Sequence, residues 1–405
     1  MKSLLINLFE NLASDFPDTP FEIKFWDGTK TKFGSGPNKF NLILRDKNTV
    51  KRIISEKSLG FGEEFMKGNI EIKGNIQDFL KIGNSKAVAN LKVSLKTKLK
   101  IFLNYIFSLG YLSKAKRNIS YHYDVGNDFY FLWLDPTLTY SCAYFKKEDD
   151  SLERAQLNKY EHISKKLQLK KGETLVDIGC GWGGMMFYAA ENFGVKCDGY
   201  TLSKQQYDYV VNEIKKRKLS HLLKVYLKDY REIQGKFDKF VSIGMFKHVG
   251  KKFYPIFFDL VKKSLKPEGI GLIQTIGSSK DKPTDPWITK YIFPGGLIPA
   301  LQVVVKVMNQ KNLVFFDIED LRMHYAKTLD KWIENFERNI DKIKLVMIKS
   351  LSSVEKAERF IRMWRLYLNG SSISFKNGNS RLYQITFSNG LKNQLPLTRN
   401  YIYGV

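Results

Sequence analysis

Cysteine is scarce: Cys142, Cys180 and Cys197 are the only three in a chain of 405 residues. That excludes a disulfide-stapled scaffold, and no paired CxxC offers a zinc site. Histidine is scarce too, with five residues and no metal-ligand spacing among them, so no metal is expected. Long apolar runs are missing. Ile101-Phe102-Leu103 stops at Asn104 and Val303-Val304-Val305 at Lys306, far short of the ~20 apolar residues that span a bilayer. The N-terminal MKSLLINLFENLASDF reaches Glu10 before a signal-peptide core develops. These absences give the expectation of a cytoplasmic protein. Acid is short relative to base, with 41 Asp+Glu against 66 Lys+Arg and a net charge of +25. Part of that excess follows from a composition rich in Lys, Asn and Ile. The rest calls for a polyanionic partner, either nucleic acid or an anionic membrane surface.

Hydrophobic residues make up 43% of the chain and aromatics 14%, which suits long packed domains rather than disorder. At roughly 150 residues per domain, the length implies two or three. Residues 1–85 read as a small α+β domain. FEIKFWDGTKTKFG (21–34) alternates around Asp27-Gly28 as a hairpin does, KFNLILRD (39–46) reads as a strand and NTVKRIISEK (48–57) as a helix. Residues 86–117 change character. Lys92, Lys96, Lys98, Lys100, Lys114, Lys116 and Arg117 meet no acid, while Leu95, Leu99, Phe102, Leu103, Ile106 and Phe107 recur at helical spacing. Such a basic amphipathic helix either lies on an anionic membrane or packs as a linker on the next domain.

Residues 118–405 read as one α/β domain. Runs at 175–180, 195–202, 224–229, 239–244 and 269–277 alternate with helix-length segments, which argues for βαβ units and a mostly parallel, Rossmann-like sheet. The stretch 281–350 breaks the alternation. It is basic, opens with four prolines and reads as a helical lid insertion. LYQITFSNG (382–390) is a further strand candidate.

The strongest local signal is ETLVDIGCGWGGMMFYAA (173–190), an apolar strand running through Gly179-x-Gly181-x-Gly183-Gly184 into a helix. Glycines let the chain turn sharply and let a ligand approach the backbone. The pattern satisfies G-x-G-x-x-G, but the second strand ends in Thr201-Leu202-Ser203 rather than in the ribose-binding acid of nicotinamide enzymes. Asp177, two residues before the first glycine, is placed to orient the turn or meet a ligand amine. Both features favour S-adenosylmethionine (SAM) over a dinucleotide. A nucleic-acid methyltransferase would need a base-recognition tetrapeptide after the fourth strand, where the chain reads SIGMFKHVG, so no nucleic acid is expected.

YHYDVGNDFYFLWLDPTLTYSCAYF (121–145) resembles the cyclopropane-fatty-acyl-phospholipid synthases and their mycolic-acid relatives. So do DIGCGWGG (177–184), YTLSKQQ (200–206), KDYR (228–231), SIGMFKHVG (242–250), QTIGS (274–278), DPWITKYIFPGGLIP (285–299) and MHYAKTLDKW (323–332). The likeness covers roughly residues 118–390 and, more weakly, 60–82. It implies a SAM-dependent methyltransferase fold and transfer of a one-carbon unit to the double bond of unsaturated acyl chains of membrane phospholipids. It also implies a peripheral position at the inner membrane face. The N-terminal domain would serve membrane seating or a homodimer.

The resemblance also implies roles. Tyr140 and Ser141 would meet the methionine end of SAM, and Gly179 and Gly181 would face the ligand. Thr201 and Gln206 would hold ribose and methionine, with helix capping as the plain alternative. Asp229 and Tyr230 would flank the adenine. The family's proton-accepting bicarbonate would be held by Cys142, Tyr325 and the backbone of Ile276. Its Glu and His are replaced here by Lys247 and Gln274. Four outcomes follow from those two changes: an anion pocket of altered form, a neutral Lys247 acting as base, a methyl- or methylene-branched product of the same cation, or a paralogue that only binds lipid or SAM.

Overall fold

The computed structural model describes residues 2–83, 126–281, 283–294 and 296–404. The basic stretch 86–117 and the opening five residues of the 121–145 motif lie outside the described residues. The chain divides into two units: residues 1–108, 285–294 and 340–373, and residues 109–284, 295–339 and 374–405.

In the first unit, helix α1 (Lys2–Asp15) precedes strands β1 (Phe21–Lys24), β2 (Lys30–Phe33) and β3 (Phe40–Leu44). Helices α2 (Lys47–Glu56) and α3 (Ser58–Lys67), strand β4 (Ile70–Gly74) and helix α4 (Ile76–Gly83) follow. The sheet order is β2-β1-β3-β4, with β1 antiparallel to β2 and parallel to β3. The expected hairpin is present. Gly28 takes φ +82° at the bend, where the Asp27 carboxylate accepts from the Thr29 N–H at 3.1 Å. Phe21 stacks on Phe33 and Phe40 at 5.0 and 4.9 Å and centres the core. Asp46 caps α2, and Gly68 ends α3 in the left-handed conformation. Arg52 bonds to Glu56, Glu63 and Glu64, and Glu63 also accepts from Lys290 Nζ (2.6 Å) and the Tyr291 hydroxyl (2.9 Å). Those last two residues belong to the short helix Pro286–Tyr291. Gly62 lies so close to the Trp287 ring that no Cβ would fit there.

In the second unit, helices α5 (Asn127–Phe131) and α6 (Leu152–Leu167) lead to β5 (Thr174–Ile178), α7 (Gly184–Phe193), β6 (Lys196–Thr201), α8 (Lys204–Lys216) and β7 (Leu223–Leu227). Then come β8 (Phe237–Ile243), α9 (Tyr254–Ser264), β9 (Leu265–Gly277), α10 (Leu301–Gln310), β10 (Leu313–Asp320), α11 (Arg322–Arg338) and β11 (Arg381–Asn389). The described residues form a seven-stranded sheet of order β10-β11-β9-β8-β5-β6-β7. Strands β5–β9 pair in parallel, and β11 runs antiparallel to both its neighbours. Leu175, Val176, Asp177 and Ile178 are all buried, as a central parallel strand covered on both faces requires. Leu175, Val241 and Leu272 pack with Ile163, Leu167 and Met186 on one face; Val176, Phe240 and Ile273 pack with Phe257 and Val304 on the other.

The strand runs read from the sequence coincide with β5–β9 and β11. The stretch 281–350 differs from the helical insertion expected of it. Residues 313–320 form β10, paired with β11 across a register shift between Phe315 and Asp317. The sheet recruits these residues because Leu313 and Asp317 point inward, and the bulge breaks the alternation that would have betrayed the strand. Residues 285–294 and 340–373 belong to the first unit, and residues 295–339 to the second. Among the described residues no helix is long and apolar enough to cross a membrane.

Candidate active site

Strand order reverses at β5, which lies between β6 and β8, and ligands of open α/β sheets sit beyond the strand ends at such a point. The loop leaving β5 is built for close approach. Gly179, Gly181 and Gly183 all have positive φ (+77°, +58° and +82°). The Gly179 and Cys180 N–H groups donate to the Tyr200 carbonyl (2.9 and 3.1 Å), fixing the loop against the end of β6. A Cβ at Gly179 would come within 2.7 Å of Met245, whereas one at Gly181 would meet nothing within 4 Å among the described residues. The glycine loop is therefore closed on one side and open on the other.

Asp177 is buried just before this loop, and its Oδ1 has no hydrogen-bond partner among the described residues. Burial raises its carboxyl well above the usual range, to about 7, against the pull of the Lys159 ammonium. At the end of β6, Thr201 Oγ1 donates to Gln206 Oε1 (2.9 Å). The cap of α8 is Ser203, whose hydroxyl accepts from the Gln206 N–H. Capping therefore does not occupy the Thr201 side chain, although Thr201 Oγ1 accepts from the Ser203 N–H at 3.2 Å. After β7, Asp229 heads a capping box with Glu232, and its carboxylate takes two bonds of 2.7 Å from Arg231. Arg231 holds that carboxyl below its usual range although burial opposes it. Tyr230 packs edge-on to Phe257 at 5.5 Å.

The segment 139–143 closes a second side. Ser141 Cβ is 4.0 Å from where a Cβ on Gly244 would lie, so this segment meets the end of β8. Tyr140 sits in an aromatic cluster with Tyr130 (5.7 Å), Trp133 (5.5 Å) and Trp332 (5.2 Å), and Trp182 of the glycine loop joins through Tyr130 at 5.1 Å. Cys142 is buried with Sγ against the Ala143 carbonyl (3.2 Å), and burial pushes its thiol far up. The Ala143 N–H donates to Thr328 Oγ1 at 3.0 Å, which ties the segment to α11, the helix that carries Tyr325. Tyr325 is buried against Phe375 at 4.6 Å.

Gln274 and Ile276 lie on β9. The Gly244 N–H donates to the Gln274 carbonyl at 2.8 Å, and Gln274 Oε1 accepts from Gln384 Nε2 at 2.9 Å. Its Nε2 is buried with no hydrogen-bond partner among the described residues. Lys247 follows three residues after Gly244 in the turn Phe246–His248 and is buried, with 9% of its surface exposed. It is not the solvent-facing residue a lone helix pattern would allow. Burial lowers its ammonium from 10.5 to about 7, and burial then the Lys247 charge hold His248 down near 3.

Thus Asp177, Gly179 and Gly181 ring the end of β5, Thr201 and Gln206 the end of β6, and Ser141 the end of β8. Cys142 and Tyr325 are linked through α11, and Gln274 to the end of β8. Sequence reasoning missed Gln156, Lys159 and Gln384, all buried. They lie on buried faces of α6 and β11 that carry other polar residues such as Lys166 and Thr386, so no isolated polar position marked them out.

A family model described as mycolic acid cyclopropane synthetase matches residues 111–385, and one for a domain of unknown function matches residues 8–94. The chain is similar to the Escherichia coli cyclopropane-fatty-acyl-phospholipid synthase, with 37% identity over 367 residues, 90% of this chain and 92% of that protein. It is 31% identical over 383 residues to a Mycobacterium tuberculosis tuberculostearic acid methyltransferase, covering 91% of this chain and 87% of that one. The crystal structure of the mycolic acid cyclopropane synthase CmaA1 with S-adenosylhomocysteine (SAH) matches with TM-score 0.62 and 32% identity over 67% of this chain and 98% of that chain. A family match over more than half the residues and a relative aligned nearly end to end lead to one conclusion: the chain belongs to the mycolic acid cyclopropane synthetase family, with a SAM-dependent methyltransferase fold.

Proposed function

We propose that this chain transfers a one-carbon unit from SAM to the double bond of unsaturated acyl chains of membrane phospholipids, forming cyclopropane fatty acyl chains. The observation that carries the reading is the open side of the glycine loop, where, among the described residues, Gly181 leaves room and the buried Asp177 Oδ1 lacks a partner at the strand-order switch. Such a cradle fits a ligand with a cationic amino-acid end and a flat adenosine. Tyr140 and Ser141 hold the methionine end, Thr201 and Gln206 the ribose side, and Asp229 and Tyr230 the adenine edge. Bound SAM supplies an electrophilic methyl that the alkene attacks, leaving a cation on the acyl chain.

The chain's own residues then have three tasks. The cluster of Tyr130, Trp133, Tyr140 and Trp332 keeps water out and offers ring faces to the cation. Cys142, Tyr325, Gln274 and the Ile276 backbone line the place where a proton leaves. Lys247, neutral above pH about 7, accepts that proton at Nζ. The donor set also fits bicarbonate. Gln274 Oε1 is engaged by Gln384, so its Nε2 is the end left to donate to an anion, and a protonated Lys247 would add charge. A net charge of +25 supports work at an anionic membrane surface.

A second reading has its own observation. Glu and His of the family are Lys247 and Gln274 here, and a Lys247 kept protonated cannot take the proton. A 1,2-hydride shift would then move the charge to the methyl-bearing carbon, and proton loss to water or bicarbonate would leave a methylene-branched chain or, from a chain carbon, a methyl-branched alkene. The test uses the purified chain, SAM and vesicles of anionic phospholipid with a mono-unsaturated chain, with released acyl chains read by mass spectrometry and proton NMR. Ring-proton signals support cyclopropanation. Branched products support the second reading, and no added carbon with SAH bound refutes both in favour of a binding-only paralogue.

A further inference from the structure

Helix α6 turns polar side chains toward the interior, where a packed helix normally presents an apolar stripe. Gln156, Lys159 and Tyr160 are 0%, 1% and 3% exposed. Burying an ammonium costs several kcal/mol unless it is well partnered. All three side chains converge on residues 139–141. Gln156 Nε2 donates to the carbonyls of Ser141 (3.0 Å) and Thr139 (3.3 Å). The Tyr160 hydroxyl bonds to that of Thr139. Lys159 Nζ donates to Ser141 Oγ at 3.1 Å. Burial lowers the Lys159 ammonium, while the nearby Asp135 and Asp177 carboxylates and the Cys142 thiol work to keep it protonated.

The chemistry of the Lys159–Ser141 pair is directional. An ammonium can only donate, and a serine hydroxyl has one proton and two lone pairs. Lys159 therefore occupies a lone pair of Ser141 Oγ and leaves the single hydroxyl proton for another acceptor. We infer that Lys159 is a positioning residue for the cofactor: by donating to Ser141 Oγ it fixes that hydroxyl as a donor to the carboxylate at the methionine end of SAM. The inference rests on the reading of Ser141 as a contact to that end. Gln156 supports it by locking the backbone of the same residue, and Asp135 and Asp177 balance the charge behind it.

The experiment is calorimetric titration of the full chain with two probes: SAH, which has the amino-acid end, and 5′-methylthioadenosine, which lacks it. Lys159→Met should weaken SAH about tenfold, the size of one charge-assisted hydrogen bond, and leave methylthioadenosine within about twofold. Ser141→Ala should weaken SAH similarly, and the double variant should bind SAH no worse than Ser141→Ala alone. Lys159→Gln keeps a donor without the charge and should retain SAH binding within about threefold, which keeps the test open if the Met variant does not fold. Equal weakening of both probes by Lys159→Met, or additive losses in the double variant, would overturn the inference while leaving the function intact. No SAH binding by the parent chain, or full SAH affinity in Ser141→Ala, would instead overturn the reading beneath it and the inference together.

Discussion

Replacing Lys247 by methionine should stabilise the protein and abolish product formation at once, with a pH signature that identifies the cause. The Lys247 ammonium titrates at about 7 in the folded chain against 10.5 for an ordinary lysine. The gap between those two values corresponds to roughly 5 kcal/mol of destabilisation when the group is charged, as an upper bound. Below pH 7 the folded and unfolded chains both carry the proton, and the penalty is complete. Between about 7 and 10.5 the unfolded chain binds the proton and the folded chain does not, so stability rises with pH across that window. Methionine fills a similar volume and carries no charge. Its advantage over the parent should therefore be largest near pH 6 and smaller by about 3 kcal/mol at pH 9. Urea denaturation of both proteins at the two pH values, followed by circular dichroism, measures this directly. A stability difference of constant size from pH 6 to pH 9 would refute the reasoning, because it would mean that Lys247 stays charged, held by an anion. The same titration with added bicarbonate then shows whether that anion is the partner.

Other substitutions test the site and the scaffold separately. Gly181→Ala should abolish SAH binding with a melting loss of only about 1 kcal/mol, because the added methyl projects into the open cradle at φ +58°. Gly179→Ala should unfold the loop as well, since its Cβ would strike Met245; differential scanning fluorimetry with and without SAH separates the two. Glu319→Gln should cost about 3 kcal/mol at pH 7. Bonds from His162 (2.7 Å) and Lys166 (2.6 Å) hold its carboxyl near 2 although burial opposes them. That contribution is present above the ordinary value of 4.5 and is lost as pH falls toward 2, so acid denaturation of parent and variant should converge there. In the first unit, Arg52→Met strips Glu63 and Glu64 of a shared partner and should cost about 3–5 kcal/mol, read as early proteolysis of residues 2–83.

Much of the second unit's architecture was legible because its strands are buried on both faces and its glycine loop follows one of them. LVDIGCGWGG carries both signals within ten residues, and the hairpin at Asp27-Gly28 likewise needs only local chemistry. Strand β10 was not legible. Its acids, Asp317 and Glu319, look like surface residues in the sequence, yet they face the buried Lys166 of α6 at 2.8 and 2.6 Å. Only a partner about 150 positions away makes a strand of them. Asp229 shows the converse. Its motif reads as an adenine contact, while the folded chain also engages it in a capping box and with Arg231.

The two buried lysines show why such pairings decide chemistry and not only packing. Each is lowered to about 7, but for reasons that separate their roles. At Lys159 burial is opposed by two carboxylates and a thiol, and the ammonium donates to Ser141. That bond ties Lys159 to the segment 139–141, so its work is orientation. At Lys247 burial is the cause of the lowered value. Its neutral form is therefore accessible near pH 7. In the proposed reading Lys247, which stands where the family has Glu, receives the proton from the carbocation, and Lys159 orients Ser141. A kcat profile that falls tenfold per pH unit below about 7 in the parent, and keeps that shape in Lys159→Gln, is the expected result. A profile whose inflection moves with Lys159→Gln would assign the proton to Lys159 and reverse the argument.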